Sequence, residues 1–235
     1  MSGDDAVDRR TMRATESRMH ERGRRSRSKD YPARPQRAGR RREKRTEADA
    51  GVAHEREPVR RLFVACDLPP DALRAVERWQ TEELRPHDDL RVTGSLHVTL
   101  VFLGSVPERR VDDVAAALAG LSFPALPTAL LDPVFLPERG AKRVVAVGLD
   151  DPSGALRDTQ RSVSDALYHA GVYTPERRPW LAHLTVARYR RPGHPFSLQN
   201  VNIVPFGLPS VILYASVLER GGAVHTPLAT FPTVS

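Results

Sequence analysis

Leucine, isoleucine, phenylalanine and tryptophan are all missing from the first 60 residues of this 235-residue chain. Three Val, three Met and one Tyr are the only sizeable apolar side chains there. They offer too little surface to offset the entropy of ordering the backbone. Residues 1–59 are therefore read as a disordered, Arg-rich N-terminal tail and residues 60–235 as the folded body. Cysteine is almost absent as well. Cys66 stands alone, which excludes an internal disulfide and a thiolate metal cluster and points to a reducing, cytoplasmic setting. No apolar run approaches the roughly 18 residues of a membrane span, and the Arg-rich start lacks the apolar stretch of a secretory signal. No membrane partner is expected.

The charge is as unevenly placed as the apolar residues. Residues 1–60 hold 18 Lys plus Arg against 11 Asp plus Glu, a surplus that equals the +7 of the whole chain. The body is therefore neutral overall, and the basic isoelectric point near 10.1 belongs to the tail. Runs such as residues 22–27 and 40–45 can hold phosphates by counterion release, although a solvated extension is the commoner fate of such runs.

Within the body, apolar runs and turn residues outline an α+β chain. Strands are expected at residues 61–68, 96–104, 143–149, 183–189, 201–206, 210–219 and 223–231. Helices are expected at residues 71–84, with Asp71 as cap, and at 107–121 and 153–170. Four prolines between residues 122 and 137 restrict any strand there to a short or edge position, and Gly221-Gly222 reads as a hairpin turn. Cys66 and Trp79 read as core side chains. A similar unit occurs in each half, so the expected architecture is a bilobal, duplicated fold: two antiparallel sheets with helices on their outer faces and a cleft between them.

The cleft is where the most specific pattern falls. His97-Val98-Thr99-Leu100 in the first half is repeated as His183-Leu184-Thr185-Val186 in the second. Residues two apart in a strand share a face, so each His projects beside its Thr while the apolar neighbours turn to the core. Placing imidazole and hydroxyl together on a half-buried strand is costly unless they are used. If the halves pack about a pseudo-twofold axis, two groups that titrate near neutrality converge with two hydroxyl donors. Such a set suits phosphodiester hydrolysis by general acid and base catalysis, with the hydroxyls donating to the charge that builds on phosphate oxygens. Zinc is the rival use of paired histidines. The sequence has no His-Glu-x-x-His and no acidic residue next to either tetrad, so neither metal nor cofactor is expected.

With residues 61–65, 96–104 and 178–188 taken together, the chain resembles the RNA 2′,3′-cyclic phosphodiesterases, or 2′-5′ RNA ligases, of the two-histidine phosphoesterase superfamily. The likeness covers about residues 60–232. It implies metal-independent opening of RNA terminal 2′,3′-cyclic phosphates to 2′-phosphates, weak reverse ligation in some members, and His97, Thr99, His183 and Thr185 as the catalytic set. It also implies a substrate contact for Arg188, five residues after His183, and a matching place for Phe102, five after His97. Five is an odd offset, so an ideal strand would turn both away, and contact requires a bulge or twist. Ala182 stands where the family usually has Pro.

Two other readings stay open at this level. One is a relative acting on a small cyclic nucleotide or an ADP-ribose cyclic phosphate, which the neutral body allows. The other is a non-catalytic RNA-binding module that draws its affinity from the tail. Arg139, Lys142 and Arg143 around Gly140 either line an RNA path or form a solvated hairpin tip. His169, His194 and His225 are assigned no role, and a monomer is expected.

Overall fold

The computed structural model describes residues 57–220 and 222–234. The expected disorder of residues 1–56 lies outside them, as does Gly221. Val59, inside the segment read as tail, already pairs with Pro107.

Strand β1 (Val59–Asp67) sets the plan of the molecule. Leu62, Val64 and Cys66 turn to one face and are fully buried against the helices, while Phe63 and Ala65 turn to the other in a separate cluster with Ile212 and Tyr214. The helices are α1 (Pro70–Trp79), α2 (Val111–Ala119) and α3 (Ala155–His169). Their apolar stripes, Ala72, Val76 and Trp79, then Val114 and Leu118, then Leu156, Val163 and Leu167, all join the first cluster. Helices therefore cover one side of the sheet and leave the other free. Burial pushes the Cys66 thiol up to about 12, as befits a small core side chain.

The remaining strands are β2 (Leu90–Val92), β3 (His97–Pro107), β4 (Leu126–Thr128), β5 (Leu130–Leu136), β6 (Lys142–Leu149), β7 (His183–Gly193), β8 (Phe206–Leu208), β9 (Ser210–Glu219) and β10 (Gly222–Pro232). The large antiparallel sheet runs β10-β9-β1-β3-β7-β6-β5, with β2 paired to β7, and β4 and β8 form a small second sheet. The two lobes are the halves of the large sheet. Their joint is narrow: β3 and β7 share the single register pair Val98↔Leu184, and beyond it the strands part, β7 taking β2 as its partner.

Several expectations need adjusting. Residues 201–205 are not a strand, since Pro205 removes a ladder donor there, and only Phe206–Leu208 pairs, with β4. Asp71 does not cap α1. Pro69 holds that position and Asp71 pairs with Arg74 within the first turn. Residues 80–84 continue α1 as a π turn, and β2 was hidden in what reads as a polar turn. The proline-rich segment does form short or edge strands, as β4 and β5. Among the described residues, no helix is long and apolar enough to cross a membrane.

Candidate active site

The free face of the sheet holds a cleft of about 760 Å³ where the two halves part. His97 and Thr99 reach it from β3, and His183 and Thr185 from β7. The alternation is visible in burial: Val98, Leu184 and Val186 are sealed in the core, while both His-x-Thr pairs are half-buried on the cleft side.

Phe102 and Arg188 also line the cleft, and matched irregularities explain how. In β3, Thr99 pairs with Ala65 and Val101 with Val64, so Leu100 is an extra residue. In β7, Thr185 pairs with Ala146 and Ala187 with Val145, so Val186 is extra. Each bulge sits three residues after its histidine, turns two consecutive apolar residues inward, and restores the fifth residue to the cleft. The Val186 carbonyl is satisfied from outside the β6–β7 ladder. It accepts from the Thr93 N–H at 2.9 Å and from Nε2 of the buried Gln80 at 2.8 Å. The π turn that carries Gln80 thus serves the bulge across the core. On the other side, Trp180 Nε1 donates to the Thr99 carbonyl at 3.0 Å. Phe102 is 43% exposed, with the Arg61 guanidinium 4.8 Å from its ring centroid.

Each imidazole has the residue two before it at its Nδ1, though through different groups. His183 Nδ1 lies 2.8 Å from the Leu181 carbonyl. A carbonyl only accepts, so Nδ1 carries the proton and Nε2 keeps the lone pair in the neutral ring. His97 has Ser95 Oγ 3.4 Å from its Nδ1, a hydroxyl that can donate or accept. Their surroundings differ. His97 packs on Phe63 at 5.0 Å between ring centroids and meets His225 edge-on at 5.3 Å. Tyr214 stacks on Phe63 at 5.2 Å, and its hydroxyl donates to both Asp67 carboxylate oxygens, 2.9 and 2.7 Å away. Asp67 is the register partner of His97, an acidic neighbour supplied by another strand.

His225 is the clearest omission of the sequence reading, which gave it no role. It lies on β10, lines the cleft, packs on Phe63 at 4.8 Å, and buries an Nδ1 that has no partner among the described residues. Arg61 and Arg91 are likewise on the cleft wall. The basic turn is elsewhere: Lys142 Nζ closes the β5–β6 hairpin on the Pro137 and Glu138 carbonyls, and neither it nor Arg139 nor Arg143 lines the cleft. His169 bonds the Asp165 carbonyl in α3, and the His194 carbonyl accepts from the Tyr189 hydroxyl.

Electrostatically the cleft is one-sided. Arg61, Arg91 and Arg188 line it and, among the described residues, no Asp or Glu does. Among the described residues, no group of three His, Cys, Asp or Glu is placed to hold a metal ion. Burial above all, then the neighbouring His225 and, less, Arg188 and His183, bring the His97 imidazole down to about 4 against an opposing effect of Ser95. Burial also lowers His225.

The folded value of His97 lies below the ordinary 6.5, so the unfolded chain takes up the proton first as pH falls. The contribution of His97 to stability is therefore constant above about pH 6.5 and is lost progressively towards pH 4, by about 3 kcal/mol at the acid end. Urea melts across that window should show the loss, and His97→Asn should flatten it. In His225→Asn, the loss of a buried wall and of a neighbouring titrating ring should move the NMR titration of His97 upward.

Two half-sheets meeting at a cleft with one His-x-Thr pair from each define a two-histidine phosphoesterase fold. The model of the 2′-5′ RNA ligase superfamily matches residues 68–201, and the chain belongs to that superfamily. A Thermus thermophilus protein named RNA 2′,3′-cyclic phosphodiesterase is 31% identical over 184 residues, 73% of this chain and 89% of its own length. A Geobacillus stearothermophilus protein of the same name is 28% identical over 179 residues, 72% of this chain; that match spans only 56% of the relative. Among solved structures, Escherichia coli LigT in its apo form has the same fold, with a TM-score of 0.66 at 23% identity over 75% of this chain and 99% of LigT.

Proposed function

We propose that the chain hydrolyses the terminal 2′,3′-cyclic phosphate of RNA to a 2′-phosphomonoester, with His97 as proton acceptor and His183 as proton donor. The observation that carries this reading is the pair of His-x-Thr sites facing one another across a cleft that is lined by arginines and, among the described residues, by no carboxylate. Relatives in the same superfamily bear the name of that activity.

Each residue then has a chemical task. His97 is neutral at pH 7 because of its burial, so its Nε2 lone pair is available to take a proton from water. The water oxygen bonds to phosphorus, the bond from phosphorus to the 3′ oxygen breaks, and His183 Nε2 delivers a proton to that oxygen. Thr99 and Thr185 donate to the non-bridging oxygens, where charge accumulates in the transition state. Arg188 adds a charge-assisted contact to the same phosphate. Phe102, open on one face, offers a surface for a base. The next turnover begins when His97 has returned its proton to solvent and His183 has regained one.

The test is a short RNA ending in a 2′,3′-cyclic phosphate, incubated with excess chelator and resolved by the position of the remaining phosphate. A 2′-phosphate should form over a bell-shaped pH profile whose acid limb lies near 4 in kcat/KM. A product that appears only after metal is restored overturns the mechanism. An acid limb that stays fixed in His225→Asn while the NMR titration of His97 moves removes His97 from the acceptor role.

A further inference from the structure

We infer that Arg91, beside Arg188, forms a subsite for the phosphodiester joining the terminal nucleotide to the one before it. The cleft would then favour a polynucleotide end over a cyclic mononucleotide. The inference rests on the hydrolase reading above and names the substrate feature that the site selects.

It begins with a register. Arg91 of β2 lies directly opposite Arg188 of β7. Opposed residues of an antiparallel pair share a face, and both side chains are exposed on the cleft wall. Like charges directly opposite one another destabilise a sheet. A carboxylate would normally relieve the conflict, yet among the described residues the ion pairs all involve other arginines and no acid lines the cleft. Water and salt screen two exposed guanidiniums only in part, and a phosphate seated between them would neutralise the pair.

The charge balance then identifies the anion. A cyclic phosphate carries one negative charge, and in the proposed reaction Thr99, Thr185 and Arg188 are already directed at it. Arg61 lies against Phe102. Arg91 is left facing the cleft with no counter-charge among the described residues. The next anion along an RNA chain is the internucleotide phosphate, and guanidinium forks suit phosphate oxygens.

The placement of β2 supports the same use. It is three residues long and pairs only with β7, yet the strand and the loop after it are pinned. Leu90 is buried, and the Thr93 N–H and the Gln80 amide both end on the Val186 carbonyl. Gln80 also donates to the Thr93 carbonyl at 3.0 Å. The bulge that brings Arg188 to the cleft is therefore tied to the segment that carries Arg91.

Three substrates test the idea on the wild type and Arg91→Gln: cytidine 2′,3′-cyclic phosphate, a dinucleotide with the same cyclic end, and that dinucleotide with a neutral methylphosphonate link. Arg91→Gln should lower kcat/KM on the charged dinucleotide by about tenfold or more, and on the other two by less than about twofold. The mononucleotide rate also serves as the check that the variant is folded. Equal losses on all three substrates, or no loss on the charged dinucleotide, would overturn the subsite. Failure of the wild type to open any of the three would instead overturn the hydrolase reading, and the subsite with it.

Discussion

His97→Ala and His183→Ala are each expected to lower turnover on an RNA terminal cyclic phosphate by about 10²- to 10⁴-fold. The double variant should fall well short of the product of the two losses, because residues that act as a unit are not additive. The reason lies in the division of labour. Once one imidazole is gone, attack by water and departure of the 3′ oxygen are no longer balanced by paired proton transfers, so the second imidazole has less to accelerate. Neither substitution should unfold the protein, since both rings stand on the cleft side of the sheet while their neighbours Val98 and Leu184 carry the packing. Single-turnover rates beside far-ultraviolet circular dichroism separate the two effects. Near-normal turnover in either single variant would remove that histidine from the reaction.

Leu184→Ala should act in the opposite way, costing about 2–5 kcal/mol of stability while leaving every reacting group in place. Leu184 is fully buried between the two residues of the second His-x-Thr pair, and with Val98 it makes the one register pair that joins the half-sheets. The cavity left there cannot be filled from one lobe without drawing the other. Urea unfolding measures the loss directly. At temperatures where the variant remains folded, kcat should fall less than in either His→Ala variant. A stability unchanged within about 0.5 kcal/mol would mean that the joint carries no load.

The two tetrads were legible in the sequence because a two-residue alternation is a local signal, and it predicted which side each His and Thr would take. The parity rule that placed them also turned Phe102 and Arg188 away from the cleft, and only the family resemblance argued otherwise. The trace of the correction is in the chain: Leu100-Val101 and Val186-Ala187 are pairs of consecutive apolar residues directly after the two threonines. Alternation with one extra inward residue reads as a bulge once the strands are seen.

What was not legible depended on residues far apart in the chain. His225 meets His97 only because β10, β9, β1 and β3 lie side by side, and Asp67 reaches the neighbourhood of His97 by cross-strand register. Strand β2, with Arg91, is too short for any periodicity to develop. The neutral charge of the body concealed a local imbalance, since acidic residues elsewhere on the fold offset the three arginines of the cleft. Bulk charge thus said little about the site.

That imbalance bears on the end of the catalytic cycle as much as on its beginning. In the proposed reaction a singly charged diester becomes a monoester that is close to doubly charged at neutral pH. A wall of guanidiniums, opposed by no carboxylate among the described residues, grips what it has made more firmly than what it received. At low ionic strength the slow event becomes the departure of the product, and dissolved salt, by loosening that grip, becomes an accelerant.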